Sequence, residues 1–349
     1  MRRTLLLIVC FSTWLTVAGC ATFFSDPLPL ADARYQLVWP PAPEAPRIRF
    51  LRTISGAEDI VPPAGRLQRM VELVTGEKNQ YLDFITPVAI GTDGNFRIYV
   101  VDTAARLVHC LDLERREVSY LVQAGDESFA SPVAIAVDGG GTFYVSDSVR
   151  AKVYKFNRKL EYLGELKSGQ EPFLRPAGIA INRHGEKYVV DVLANKLVVF
   201  DREDSFLRDF PDPRFRAEFN RPVAVAIDRD DNVYVTDAMN FAVKVFDRSG
   251  MLQGNIGRVG DAPGSFARPK GVAVDSSRHV YIVDATFDNF QIFDLQDRLL
   301  LHLGQSGSRP GEFFMPSGIF IDLQDRIFVA DTYNHRIQIF QYLSKGTSP

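Results

Sequence analysis

The chain writes one sentence six times. Pro87, Pro132, Pro176, Pro222, Pro269 and Pro316 stand 44 to 47 residues apart, each in the same setting. Three residues before each lies a Phe: Phe84, Phe129, Phe173, Phe219, Phe266 and Phe313. Twelve residues after each lies an aromatic: Tyr99, Tyr144, Tyr188, Tyr234, Tyr281 and Phe328. Three further on comes an Asp: Asp102, Asp147, Asp191, Asp237, Asp284 and Asp331. Nine after the Asp comes a large apolar residue: Leu111, Phe156, Phe200, Phe246, Phe293 and Phe340. A period of this length builds solenoids, propellers or arrays, because one unit cannot bury its apolar faces alone.

Within a copy, VAVAID, NVYVTD and AVKVFD are short, β-branched or aromatic, and bounded by Asp, Asn and Gly. They read as strands, with a weaker fourth such as FLRDF or LLLHLG. Four antiparallel strands per repeat describe a propeller blade. The first strand keeps Ala or Gly at alternate positions, which suits the crowded axis; the sixth copy departs from this at Phe320. That copy also lacks a fourth strand, while RIRFLRTISG at 47–56 is a strand without a blade. Residues 48–54 are therefore expected to complete the last blade and protect its edge. Between this strand and Pro87, Leu67, Met70, Val71 and Val74 fall at helical spacing. They predict a helix over 65–75 in a 57–83 insertion, on the face that carries the turn after each Asp.

The pattern P-x-G-[IV]-A-[IV]-D…N-x-R…[IV]-F-D is best seen in PSGIFIDLQDRIFVADTYNHRIQIF at 316–340. It resembles the NHL repeat. The resemblance covers roughly 47–343 and implies an all-β, six-bladed propeller. Bacterial lipoproteins with this layout form a recognisable group, mostly without an assigned activity. The N-terminus agrees with them: MRR, the apolar run LLLIVCFSTWLTV, then AGC read as an export signal over 1–19, too short to span a membrane. VAGC, Val17 to Cys20, resembles the lipobox of such lipoproteins, which implies cleavage before Cys20 and a covalent lipid on it. Thr22 stands where that family uses Asp for retention at the inner membrane, so the resemblance implies the outer membrane, on its periplasmic or surface side. Residues 20–46 are Pro-rich and read as an extended tether, Tyr35 and Trp39 being the residues able to dock it on the domain instead. Residues 344–349 read as a tail. With Cys10 removed and Cys20 acylated, Cys110 alone remains, and no intramolecular disulfide is available.

Composition narrows the function. The net charge of −3 speaks against nucleic acid as a partner. The six Asp could be taken for a ring of metal ligands, but an Asp entering a tight turn bonds backbone N–H groups, and every blade has one. The same holds for Asp93, Asp138, Asn182, Asp228, Asp275 and Asp322 on the opposite face. His109, His184, His279, His302 and His335 are spread over both faces and the outer strands, unlike a convergent metal site. There is no HExxH, CxxC, P-loop or nucleophile elbow. No catalytic residue, metal or cofactor is expected beyond the lipid on Cys20.

What varies between copies is more informative. The residue before the Pro is Arg175, Arg221 or Arg268 in three consecutive copies, but Thr86, Ser131 or Met315 in the others. Lys270 and Ser317 open two inner strands, and the turns after the Asp carry Arg150, Asn240, Phe241, Phe287, Tyr333 and Asn334. All share one face. Two readings follow: a basic and aromatic patch for an acidic peptide, a glycan or an envelope protein, or arginines that each pair with a turn Asp. The expectation is a lipid-anchored monomer that displays a binding face. The alternative is a lactonase-like hydrolase or lyase with its site at the channel mouth.

Overall fold

The computed structural model describes residues 26–63, 81–169, 171–212 and 218–344. Cys20, the helix predicted at 65–75 and residues 345–349 lie outside the described residues. Six antiparallel sheets form a ring, each inner strand lying beside the next and the sixth beside the first. Blade 4 shows the plan: Pro222–Ile227, Val233–Asp237, Ala242–Phe246 and Leu252–Ile256, called A to D from the axis outward.

The repeated residues explain one another. The Phe before each Pro packs against the large apolar residue nine past the Asp in the same blade, an aromatic in all but the first, as in Phe129–Phe156, Phe219–Phe246 and Phe266–Phe293 at 6.2, 5.5 and 5.7 Å. Each pair wedges the connection between blades into the core. The strand B tyrosines are almost wholly buried, and all but Tyr99 place their hydroxyl on a carboxylate: Tyr234 donates to Asp228 at 2.9 Å and Tyr281 to Asp275 at 3.0 Å. Small residues in strand A are set by the neighbouring backbone. A Cβ on Gly271 would stand 2.7 Å from Ile319 N and 2.8 Å from Ser317 O.

Ring closure follows the sequence expectation. Blade 6 takes Ile319–Ile321, Arg326–Asp331 and Arg336–Tyr342 from one end of the chain. Ile48–Ile54 then pairs antiparallel with Arg336–Tyr342, placing Phe50 opposite Phe340. The tether reading needs correction for 26–46. Val38–Trp39 adds a fifth strand outside Ile48–Ile54. Leu28 is buried and its N–H donates to Leu113 O at 2.8 Å, while Asp32 N–H donates to Leu51 O at 2.9 Å. Tyr35 and Trp39 stand edge-on to Phe50 and Phe340. Apolar burial of Leu28, Tyr35 and Trp39 outweighs the ordering of a segment already stiffened by proline.

One junction was not legible in the repeat. Eleven residues after the repeated Pro the other blades place Ile98, Phe143, Val233, Val280 and Ile327, but blade 3 has Lys187, only 3% exposed. Its ammonium donates to Asp201 O and Arg202 O, both at 2.8 Å, and pairs with Asp204 at 2.6 Å. Asp204 also accepts from Tyr144 of blade 2 at 2.8 Å and pairs with Lys155 at 2.5 Å. Burial raises the Asp204 pKa, but these three donors outweigh it and hold the carboxyl below its usual range. Asp204→Ala strands the Lys187 charge, so a loss of about 3–5 kcal/mol is expected in denaturant unfolding. The carboxylate's contribution is present above its unfolded pKa and is lost as pH falls through its depressed folded pKa.

Candidate functional site at the channel mouth

The face carrying the B–C turns and the blade-to-blade connections is organised by the six repeated Asp, all at most 2% exposed. Asp102 accepts the N–H groups of Ile85, Thr86 and Ala105 at 2.6, 3.0 and 2.9 Å. One carboxylate thereby ties the incoming connection to the outgoing turn. Asp147, Asp191 and Asp284 repeat this. In blades 4 and 6 the tie is modified. Asp237 and Asp331 each take one N–H from the connection, and the side-chain amides of Asn240 and Asn334 add a second bond. The residue before the proline then turns left-handed, Arg221 at φ 58° and Met315 at φ 47°. Its N–H is taken by the previous blade, through Asn195 Oδ1 at 2.9 Å and Asp288 Oδ1 at 2.6 Å. These carboxylates are structural latches, as the turn argument required.

The latches bear on one of the two readings of the arginines. Arg175 and Arg268 meet their Asp through backbone N–H, not through the guanidinium. The carboxylates are saturated and buried, so the side chains of Arg175, Arg221 and Arg268 extend into the exposed rim. The pairing of each arginine with a turn Asp does not form. Among the described residues, no hydrogen bond or ion pair engages these guanidinium groups or the Lys270 ammonium.

Lys270 is the second residue of its inner strand, where the other blades place Val88, Val133, Ala177, Val223 and Ser317. It is half-buried. Burial pushes its pKa below the usual lysine range, and the charges of Arg268 and Arg175 push it the same way. The Lys270 ammonium of blade 5 thus feels the charges of Arg268 beside it and of Arg175 in blade 3. The opposite side of the mouth is neutral and tightly closed. Ser317 Oγ and Thr332 Oγ1 lie 2.7 Å apart, and they donate to Val88 O at 3.2 Å and Pro87 O at 2.8 Å across the blade 6–1 seam.

The remaining patch candidates divide. Arg150 donates to Ser128 O and faces Glu127 at 3.6 Å, and Asn240 and Asn334 are spent on the latches. Phe241 packs on the blade 4–5 core and Phe287 is half-buried. Tyr333 is exposed and stands edge-on to Phe314 at 5.7 Å. Arg175, Arg221, Arg268 and Lys270 are what the structure leaves available. Among the described residues, no three His, Cys, Asp or Glu side chains gather as a metal-holding group. Burial pushes the Cys110 thiol up to about 12, consistent with a core residue. No described helix is long and apolar enough to cross a membrane. A cavity of about 660 Å³ opens between blades 5 and 6 on the opposite face, with Ile48, Tyr281, Ile292 and Leu301 in its largely apolar wall.

Comparison with known proteins agrees with the fold. Residues 217–302 match a family of six-bladed β-propellers, and residues 313–340 match the NHL repeat. No curated protein matches the chain. Among solved structures, a Bacteroides thetaiotaomicron protein of unknown function is 18% identical, with TM-score 0.60 over 74% of this chain and 70% of that one. The Xanthomonas campestris gluconolactonase is 15% identical, with TM-score 0.58 over 75% and 90%. Virginiamycin B lyase from Staphylococcus aureus is 12% identical, with TM-score 0.54 over 74% and 96%. At these identities the likeness is one of fold. The chain folds as a six-bladed β-propeller closed by its own N-terminal strand, and its last repeat matches the NHL repeat.

Proposed function

We propose that the propeller is a binding scaffold of the cell envelope, held there by lipid on Cys20 at the outer membrane, and that its channel mouth takes the acidic group of a ligand. The observation that carries the reading is a half-buried Lys270 at the start of an inner strand that feels the charges of Arg268 and Arg175 and has no carboxylate partner among the described residues. Like charges held together in a partly desolvated space raise the energy of the unliganded protein, and an anion relieves it. Arg221, on the blade between them, extends the same rim. Partners with this chemistry are an acidic peptide segment, an acidic glycan or an acidic patch on an envelope protein.

Citrate serves as a probe in isothermal titration at low salt. Arg175→Ala, Arg268→Ala and Lys270→Met are each expected to weaken it roughly tenfold, the equivalent of about 1.4 kcal/mol. Added salt should weaken binding to the parent. Unchanged affinity in all three variants would remove the site. Lys270→Met carries a second expectation with the opposite sign. Because the folded pKa of Lys270 is depressed, the unfolded chain holds more protons between the folded and unfolded values, and stability rises with pH across that window. Below it the charged lysine is a burden, so Lys270→Met should melt higher than the parent at neutral pH. Mass spectrometry of the membrane fraction tests the anchor: acylated Cys20 supports it, and a free thiol there refutes it.

A further inference from the structure

Two connections in the ring are near copies. Residues 257–269 read GRVGDAPGSFARP and residues 304–316 read GQSGSRPGEFFMP, each position displaced by 47. Three of their hydrogen bonds correspond closely. Phe266 N–H donates to Arg258 O at 2.8 Å, and Phe313 N–H to Gln305 O at 2.9 Å. Gly264 N–H donates to Gln291 Oε1 at 2.7 Å, and Gly311 N–H to Gln338 Oε1 at 2.8 Å. The Gln291 amide returns a bond to Ser265 O at 2.9 Å, as the Gln338 amide does to Glu312 O at 2.6 Å.

The residue that closes the loop differs. In blade 6 the second loop closes on Arg336, whose guanidinium donates to Ser308 O at 2.6 Å, Arg309 O at 3.0 Å, Glu312 O at 2.9 Å and Asp331 at 2.6 Å. The counterpart in blade 5 is Asn289, too short to reach across. Among the described residues, no side-chain donor reaches Asp261 O or Ala262 O, the carbonyls that correspond to Ser308 and Arg309. Asn289 is 4% exposed, and its Oδ1 has no partner, while its amide nitrogen meets His302 Nε2 at 3.1 Å. A cavity of about 260 Å³ stands there, with Asp261, Phe287, Asn289 and His302 in its wall. Trp39 covers the second loop at Gly311, whereas nothing lies within 4 Å of a Cβ built on Gly264. The first loop is open where the second is roofed.

We propose that this cavity is a binding niche for a guanidinium group, the side chain of an arginine or of a small arginine-like molecule, entering where Arg336 sits in the sister blade. The acceptors are the carbonyls of Asp261 and Ala262 and the Oδ1 of Asn289, a set suited to a planar cation with several N–H donors. Phe287 offers an aromatic wall to the same ion. Burial lowers the His302 pKa, so the imidazole facing the niche is neutral at pH 7 and does not repel a cation. Asp261 adds a favourable charge at the rim; Arg258 and Arg268 lie on the same connection but carry no bond to the niche.

The test uses methylguanidinium and the tripeptide Gly-Arg-Gly on the full chain, followed by the backbone amide shifts of Asp261, Ala262 and residue 289 and by thermal melting. Saturable shifts with both probes, and weaker ones with methylammonium at equal ionic strength, are expected. A response to methylguanidinium alone restricts the niche to small molecules; a response to the tripeptide as well admits an arginine of a partner. Asn289→Arg should melt higher than the parent and lose the response, because its own guanidinium fills the space. Should that variant not fold, Asn289→Leu carries the same readout. The mirror variant Arg336→Asn should be destabilised and partly restored by methylguanidinium. A parent that shows no saturable shift, or one that persists in the filled variant, overturns the niche and leaves the channel-mouth site untouched.

Discussion

Deleting residues 47–54 is expected to leave a chain that no longer melts cooperatively and that aggregates on size exclusion. The segment supplies Ile48, Phe50, Leu51 and Ile54, each at most 4% exposed. At about 1.5–3 kcal/mol for each buried side chain, their loss alone costs roughly 6–12 kcal/mol. That is comparable to the whole stability of an ordinary domain. Val38–Trp39 would lose its strand partner as well. The strand Arg336–Tyr342 would then present an unpaired edge to other chains, which adds aggregation to unfolding. The comparison is the melting temperature and elution volume of the deletion beside the parent. A monomer with parental melting would contradict the closure.

Gly318→Val is expected to be the most damaging single substitution in the inner ring, costing about 3 kcal/mol or more. A Cβ on Gly318 would stand 3.1 Å from Ala89 Cα and closer still to the Val88 carbonyl. Both neighbours are backbone and cannot rotate away. They belong to blade 1, so the strain falls on the seam that Ser317 and Thr332 hold shut. Gly254→Ala is the control. It lies on an exposed outer strand with nothing within 4 Å of its Cβ, and a change of a few tenths of a kcal/mol is expected. Denaturant midpoints compare the two directly. Equal effects would mean that the inner strands are not packed at backbone distance.

Much of this was readable because repetition averages out local noise. The Phe, Pro, aromatic and Asp positions recur in register, and each proved to have one physical job per blade. The latch role of the Asp could be argued from turn chemistry alone. The fate of the arginines could not. Whether a guanidinium is free depends on how many backbone N–H groups have already filled the neighbouring carboxylate, and those come from a segment sixteen or so residues away. Lys187 was opaque for a similar reason: in HGEKYVVD it looks like a surface lysine, and its acceptors come from the 201–204 turn. Tyr35 and Trp39 were visible as docking candidates within a proline-rich stretch, but their partners Phe50 and Phe340 lie at opposite ends of the chain. A period describes what blades share; function collects where they differ.

The central claim is that cations without partners meet at the mouth of the channel. It is tested most directly by following the Lys270 ε-carbon by NMR through a pH titration, assigned by comparison with Lys270→Met. The account predicts a pKa below that of ordinary lysines, moving upward when citrate is added, because an anion favours the charged form. A Lys270 that titrates with the surface lysines and ignores citrate would contradict it.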